Sequence, residues 1–308
     1  MQGYNIGYYI RRIRKEREIC QEVLYEGLCS RSTLHRIESG EQQPGLFVAS
    51  QLLQRLGLDE SSFLLPLGPQ DFEISNLQKE IISLNAQSRF AEALEKIARL
   101  ETLVVPQDKL AQQFILRAKA LAGYECDGKR CPYDYPTQRQ MLMQALELTC
   151  AGINLENMSG FLLGEDETKI INQIAITYSE EGKRRQAIEI YRQLIRYVES
   201  HFPDCEVRQV MLPLTAYNYS TLLGLERRYE EAIEVAELGR QCCVKYNKCR
   251  MLGGLLLNIA CCLHELGEDK KSGELLIASY YVNKAMERTK SCETVKQYAR
   301  ENLGIEID

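Results

Sequence analysis

Apolar residues near the N-terminus recur three to four positions apart, which is the spacing of amphipathic helices. In the segment 21–40, Leu24 lies on the inner face of one predicted helix, and Leu34 and Ile37 lie on the inner face of the next. Gly27–Cys29 separates the two helices, because glycine tolerates the positive φ that a tight turn needs. The pattern predicts two short helices joined by a sharp turn.

The second of these helices has a polar outer face. Its first turn can be capped by the hydroxyl of Ser30, and Gly40 is a natural residue to end it. The outer side carries hydrogen-bond donors and small hydroxyls, which suit the major groove of DNA. Gln21 opens the preceding helix, where a side chain can bond a phosphate. The predicted DNA contacts are Gln21, Ser30, Arg31, Ser32, Thr33, His35 and Arg36.

Beyond residue 70 the chain repeats one helical sequence motif. Its versions are RFAEALEKI at 89–97, GKRRQAIEIY at 182–191, RRYEEAIEVA at 227–236 and GEDKKSGELL at 267–276. Each version places a small residue at a fixed point of its helix and follows a helix of similar design. This resembles the tetratricopeptide repeat, although the small residues lie farther apart than its period of about 34 residues. Two further hairpins are expected at 71–105 and 107–151, the second interrupted by a loop at 125–136.

These patterns predict an all-α chain of two domains. Two prolines and a glycine within 66–69 end the last helix of the first domain. We expect a helix-turn-helix domain over 1–66, a hinge at 67–70 and a tetratricopeptide-like α-solenoid over 71–308. A final helix at 291–303 is expected to cover the apolar face of the last repeat.

The N-terminal residues resemble a known class of DNA-binding domain. Ile10–Arg14 and Ser32–Gly40, which ends in Arg-Ile-Glu-x-Gly, are similar to the XRE or Cro type of helix-turn-helix. The short turn at Cys29 is similar to that of the PlcR/Rgg-like regulators of Gram-positive bacteria, the RNPP quorum-sensing family. The resemblance implies that Arg14 and Glu38 pair inside the domain.

In a stacked array of helical hairpins, the first helix of each pair lines the concave side. If Ala175, Ser220 and Ala260 are the small residues at helix contacts, the residues two or three positions earlier face that groove. In the PlcR/Rgg-like family, asparagines of this kind hold a short signalling peptide by its backbone, and the resemblance implies the same role here. The alternative is that these amides cap helices or face water. The predicted peptide contacts are Asn172, Gln173, Tyr217, Asn218 and Asn258.

Composition and charge limit the function classes. The net charge of −5 argues against bulk nucleic-acid binding, so any DNA contact must be local, from the run Arg11–Arg17 and the polar helix face. The chain has no apolar run long enough to span a bilayer and no signal-peptide core, which predicts a cytoplasmic protein whose twelve cysteines are free thiols. Three scattered histidines predict neither a metal site nor a cofactor, and no catalytic arrangement is recognisable.

Together these features predict a transcription regulator rather than an enzyme. It would bind a palindromic double-stranded DNA operator as a homodimer, because a single helix-turn-helix buries little DNA surface. Its repeats would sense a short signalling peptide. Two alternatives stay open: the repeats could bind a protein partner instead, or act as a phosphatase on a response regulator.

Overall fold

Helices make up nearly all the regular structure, as the repeated apolar spacing predicted. The computed structural model describes residues 5–59, 69–126, 129–202 and 205–307. Within these residues it contains fifteen α-helices and one two-stranded sheet, so the all-α class is confirmed. No helix in the described ranges is both long and apolar enough to cross a membrane.

The N-terminal helices pack around one small apolar core. They are α1 (Ile6–Glu16), α2 (Gln21–Tyr25), α3 (Arg31–Glu38) and α4 (Leu46–Arg55). Leu24, Leu34 and Ile37 are fully buried, which confirms the predicted inner faces. Gly27 and Gly40 have φ angles of +74° and +78°, and the chain turns where only glycine does so freely. The predicted helix-turn-helix is confirmed.

Five helices of the repeat region follow. They are α5 (Pro69–Ala86), α6 (Phe90–Leu103), α7 (Lys109–Ala122), α8 (Tyr135–Glu147) and α9 (Glu165–Glu180). The hairpins predicted at 71–105 and 107–151 are confirmed as α5 with α6 and α7 with α8. One apolar core joins α5, α6 and α7 around Ile81, Ile97 and Ile115.

A short β-hairpin lies inside the loop predicted between α7 and α8. Strand β1 covers Tyr124–Cys126 and strand β2 covers Lys129–Cys131, and they pair antiparallel with Tyr124 opposite Cys131. Strands of three residues are too short to show an alternating pattern, so the sequence did not predict them.

Six helices complete the chain. They are α10 (Arg184–His201), α11 (Glu206–Leu225), α12 (Tyr229–Lys245), α13 (Leu252–Glu265), α14 (Asp269–Ala285) and α15 (Thr289–Tyr298). The small residues that align the repeated motifs, Ala187, Ala232 and Ser272, are buried. The hydroxyl of Ser272 donates to the carbonyl of Ala260 at 2.8 Å, which shows how closely α14 approaches α13.

The last helix covers the final repeat, as predicted. Helix α15 continues into a π-helical turn at Ala299–Leu303. Val295 and Ala299 are fully buried in one cluster with Leu276 and Tyr280 of α14. The helix therefore closes an apolar face that would otherwise meet water.

The chain divides into two compact units, Met1–Glu181 and Gly182–Asp308. Helices α1 to α9 belong to the first unit and α10 to α15 to the second. The helix-turn-helix therefore shares a unit with the first repeat helices. The hinge predicted at 67–70 begins outside the described residues, and α5 starts at Pro69.

Candidate DNA-binding face and ligand groove

The outer face of α3 carries most of the predicted DNA contacts. The hydroxyl of Ser30 accepts from the backbone N–H of Thr33 at 3.1 Å, so the predicted cap is present. Ser30 Oγ also lies 2.9 Å from the hydroxyl oxygens of both Ser32 and Thr33. The long side chains of this face are exposed and have no hydrogen-bond or ion-pair partner among the described residues; they are Arg31, His35 and Arg36. The outer face of α3 therefore presents exposed hydrogen-bond donors on a short helix with a capped N-terminus.

A buried ion pair holds α3 against α1. Arg14 Nε and Nη2 donate to the two carboxylate oxygens of Glu38 at 2.6 and 2.9 Å, and Arg14 Nη1 donates to the carbonyl of Ile19 at 2.9 Å. The predicted pair is confirmed. Burial alone would raise the pKa of Glu38, but hydrogen bonds from Arg14 and Gln21 and the charge of Arg14 together lower it. Glu38 is therefore ionised at neutral pH.

Gln21 has an internal partner that the sequence did not predict. Its amide nitrogen donates to Glu38 Oε2 at 2.8 Å. Gln21 is also the first residue of α2, and the first N–H groups of a helix have no acceptor within it. A phosphate contact at this point would therefore use the backbone of α2 while the side chain stays on Glu38.

The last residue of α4, Arg55, ties the DNA-binding helices to the repeats. Its side chain is fully buried. Nη1 donates to the carbonyls of Leu24 and Glu26 at 3.1 and 2.6 Å, and Nη2 donates to the carbonyl of Thr149, just after α8, at 3.0 Å. A carboxylate oxygen of Glu167 in α9 lies 4.0 Å from Nη2. One guanidinium thus joins the turn after α2 to the repeat helices.

The carboxylate beside Arg55 accepts a hydrogen bond at each of its two oxygens. One oxygen of Glu167 accepts from the hydroxyl of Thr149 at 2.7 Å, and the other accepts from the N–H of Gly164 at 2.9 Å. Gln113 of α7 donates to the same hydroxyl at 2.6 Å. These buried groups, Arg55, Gln113, Thr149 and Glu167, are called the junction cluster below.

Sequence reasoning missed the junction cluster. Arg55 ends a helix, where a basic residue is expected for its interaction with the helix dipole alone. Its partner Thr149 lies 94 residues farther along the chain, and no local pattern connects them. Gly27 also packs closely against Thr149, because a Cβ atom on Gly27 would lie 2.4 Å from the carbonyl oxygen of Thr149. The turn glycine is therefore needed for the close approach as well as for its φ angle.

In the second unit, a groove runs along α13 between α11 and α15. It contains two cavities, of about 420 and 280 Å³. Tyr217 and Leu257 line the larger cavity, at the N-terminal end of α13. Asn258, Cys261 and Tyr298 line the smaller one, toward the C-terminal end. We call this feature the α13 groove.

Asn258 lines the smaller cavity and follows Leu257, which lines the larger one. Its amide nitrogen donates to the carbonyl of Tyr217 at 3.1 Å and to the hydroxyls of Ser220 and Thr221 at 2.8 and 2.9 Å. These bonds use the donors of the amide to hold α13 against α11. The expectation of an amide that both donates to and accepts from a peptide is corrected here, since only the oxygen is left to accept.

The other predicted peptide contacts are not gathered in the same groove. Tyr217 lines it with Asn258, whereas Asn218 is half-buried and lines neither cavity. Asn172 and Gln173 belong to α9 in the first unit, where Asn172 is only 4% exposed. The predicted set therefore divides between the two units.

The two ends of the α13 groove carry opposite charges. Arg250 and Arg288 lie at the N-terminal end of α13, and neither has a carboxylate partner among the described residues. The guanidinium of Arg288 donates to the backbone carbonyl of Arg250. Glu265 lies at the other end, where it accepts from the hydroxyl of Tyr229 at 3.0 Å. The part of the chain that the structure describes has no cluster of His, Cys, Asp and Glu able to hold a metal.

These features define a helix-turn-helix protein with a helical-repeat domain. A helix-turn-helix family model matches residues 10–63, and the model of the RNPP family C-terminal domain matches residues 78–286. The second match covers more than half of the chain, and the chain belongs to the RNPP family. The resemblance found in its sequence is confirmed.

Solved structures share this fold at low sequence identity. Bacillus thuringiensis PlcR in complex with the peptide PapR7 and DNA is 21% identical with a TM-score of 0.60, over 94% of this chain and 98% of that chain. Its apo form is 19% identical with a TM-score of 0.59, over 92% and 97%. ComR from Streptococcus vestibularis with its cognate signalling peptide XIP is 14% identical with a TM-score of 0.50, over 96% and 98%. No curated protein matches the chain in sequence.

Proposed function

We propose that this protein is a sequence-specific transcription regulator whose DNA binding is controlled by a short signalling peptide. The observation that carries the proposal is the outer face of α3, where Arg31 and Arg36 are open donors while Leu34 and Ile37 are fully buried. Membership of the RNPP family and the fold shared with peptide-bound and DNA-bound PlcR support it. The protein acts in the cytoplasm, and it acts by binding rather than by catalysis.

In this proposal α3 enters the major groove of the operator. Helix-turn-helix proteins place the N-terminal residues of the second helix on base edges. The groups proposed to contact DNA are the Gln21 backbone, Ser30, Arg31, Ser32, Thr33, His35 and Arg36. The DNA-binding domain covers 1–66, and 71–308 supply ligand sensing and dimerisation, with the connection at 67–70.

Selection from a random duplex library with the purified full-length protein provides an operator for the test. Arg36→Ala is expected to weaken operator binding by about 1–3 kcal/mol if Arg36 reads a base. Arg196→Ala is a matched control, because Arg196 is exposed on α10, far along the chain from the DNA-binding helices. Unchanged operator affinity and salt dependence in both Arg36→Ala and Arg31→Ala would show that α3 is not the recognition helix.

The operator is proposed to be palindromic and bound by a homodimer. Two recognition helices about 34 Å apart reach successive major grooves on one side of the duplex. The selected duplexes should therefore contain two inverted half-sites about 10 base pairs apart. Analytical ultracentrifugation of the protein with this duplex should give two chains per DNA. One chain per DNA would refute the dimer.

The α13 groove is the proposed peptide site in the second unit. Tyr217 offers an aromatic surface and Asn258 a free amide oxygen that can accept a peptide N–H. A ligand shifts DNA binding only if its affinity differs between two arrangements of the protein, and that coupling is reciprocal. The dissociation constant of the peptide should therefore change on adding operator by the same factor as the dissociation constant of the operator changes on adding peptide. Identical affinities would refute peptide control.

A further inference from the structure

Two arginines, Arg250 and Arg288, line the N-terminal end of the α13 groove. Arg250 is exposed, and Arg288 is half-buried with its guanidinium turned to a backbone carbonyl. Some other arginines of the second unit pair with carboxylates, as Arg184 does with Glu226 and Arg240 with Glu237. Two guanidinium groups that lie beside one cavity and have no carboxylate partner among the described residues favour a carboxylate there, because charge-assisted bonds to arginine are among the stronger ones.

The other end of the groove has the opposite preference. Glu265 is exposed and uses one oxygen to accept from Tyr229. Burial raises the pKa of the Cys261 thiol to about 11 and that of Cys262 to about 12, so both thiols are neutral at pH 7. Among the groups lining this cavity, Glu265 carries the negative charge. An amine is therefore the complementary group.

The distance between the two ends sets the length of the ligand. Met251 and Glu265 line the two cavities 14 residues apart along α13, and a rise of about 1.5 Å per residue gives roughly 21 Å. An extended chain covers about 3.3 Å per residue, so roughly six residues span the groove. Between the ends, Leu257 and the ring of Tyr217 offer an apolar surface, and Asn258 Oδ1 can accept from a peptide N–H.

We propose that the α13 groove binds a peptide of about six residues with free ends, its C-terminal carboxylate at Arg250 and Arg288 and its N-terminal amine at Glu265. This inference rests on the proposed function, since it names the chemistry and the direction of the ligand in that same site. It makes the two chain ends, and not only the side chains, part of recognition.

The test uses a pool of random hexapeptides made in three forms: with both ends free, with an amidated C-terminus, and with an acetylated N-terminus. Full-length protein is mixed with each pool, and bound peptides are separated by gel filtration and identified by mass spectrometry. A bound sequence is then made in all three forms and titrated. Amidation is expected to weaken binding at least tenfold, and acetylation at least threefold.

Variants assign each end. Arg250→Gln and Arg288→Gln should each bring the ratio of the dissociation constants of the free and amidated peptides toward one. The first change leaves in place the backbone carbonyl that Arg288 contacts. Glu265→Gln should remove the effect of acetylation and leave that of amidation. Arg196→Gln is the control and should keep both ratios.

The outcomes separate this inference from the proposed function. Peptides that bind equally well in all three forms would overturn the direction and leave the groove as a peptide site. An amidation effect that Glu265→Gln removes would reverse the direction. If no pool binds, the inference and peptide control through this groove both fail.

Discussion

The polar side chains of the junction cluster and those of the α13 groove differ in burial and in how far they are hydrogen-bonded within the protein. The junction cluster is buried, and its arginine and carboxylate use neighbouring carbonyls, a hydroxyl and an N–H. In the α13 groove, Arg250 and Glu265 are exposed, and Arg250 has no carboxylate partner among the described residues.

This difference separates structural from binding roles. A buried polar group is costly unless it is hydrogen-bonded, so the hydrogen bonds within the junction cluster hold its elements in one arrangement. An exposed, unpaired group contributes little to folding and stays available for a ligand. The junction cluster therefore holds the N-terminal helices on α8 and α9, whereas the exposed groups of the groove stay accessible to solvent.

The largest effect is expected for Arg55→Met. The change leaves the carboxylate of Glu167 buried beside no cation and three carbonyls without this donor, and breaking a buried pair costs about 3–5 kcal/mol. Urea unfolding followed by circular dichroism measures it. Arg12→Met is the control, since Arg12 pairs with Glu16 on the surface, where such pairs contribute less than about 1 kcal/mol. Equal losses in both variants would contradict a stabilising junction.

A glycine pair tests the close approach at the junction. Gly27→Ala and Gly152→Ala both place a Cβ at positive φ, +74° and +70°, at a cost of about 1–2 kcal/mol each. At Gly27 the new atom also meets the carbonyl of Thr149, whereas nothing lies within 4 Å at Gly152. Gly27→Ala should therefore lose about 1–3 kcal/mol more. Equal losses of stability in the two variants would show that the backbone around Thr149 moves to accommodate the new Cβ without cost.

The pair of Arg14 and Glu38 predicts a pH dependence. Because the pKa of Glu38 is below its ordinary value of 4.5, its ionised form contributes stability above that pH, and the contribution is lost as the pH falls through the lowered pKa. Glu38→Gln should cost about 1.5–3 kcal/mol at pH 7. The difference in the free energy of unfolding between the variant and the wild type should narrow below about pH 4.5. A difference that stays constant from pH 7 to pH 3 would show that the charge of Glu38 contributes nothing.

The smallest effects are expected in the α13 groove. Asn258→Ala loses the bonds to α11 and should cost about 1–2 kcal/mol. Arg250→Gln removes an exposed side chain and should stay within about 0.5 kcal/mol of wild type. Thermal unfolding of both variants checks this order. A large loss in Arg250→Gln would mean that the arginine supports the fold and is not free for a ligand.

Much of the fold could be predicted from local sequence. Leu34 and Ile37 recur at helical spacing, and Ser30 and Gly40 mark the ends of α3, so its outer face follows from neighbours in the chain. The small residues of the repeats and the capping helix α15 were likewise predicted correctly. Such features depend on contacts within a few residues or between adjacent helices, and these leave a period in the sequence.

The candidate sites were predicted less completely. The sequence placed Tyr217 and Asn258 on the groove side, but it did not show that the Asn258 donors are used by α11. It also grouped Asn172 with them, although that residue lies in the other unit and is nearly buried. Helical spacing gives the face of a residue, whereas its partners depend on which other helix packs beside it.

The sequence by itself determined the helix-turn-helix, the helical repeats and the polar face of α3, because periodicity and end signals are local. Only the tertiary structure decided that Arg55 lies against Thr149 and Glu167, and that Arg250 and Glu265 mark opposite ends of one groove. Burial and pairing are properties of groups brought together across long stretches of chain. A single side chain carries no record of them until the helices have packed.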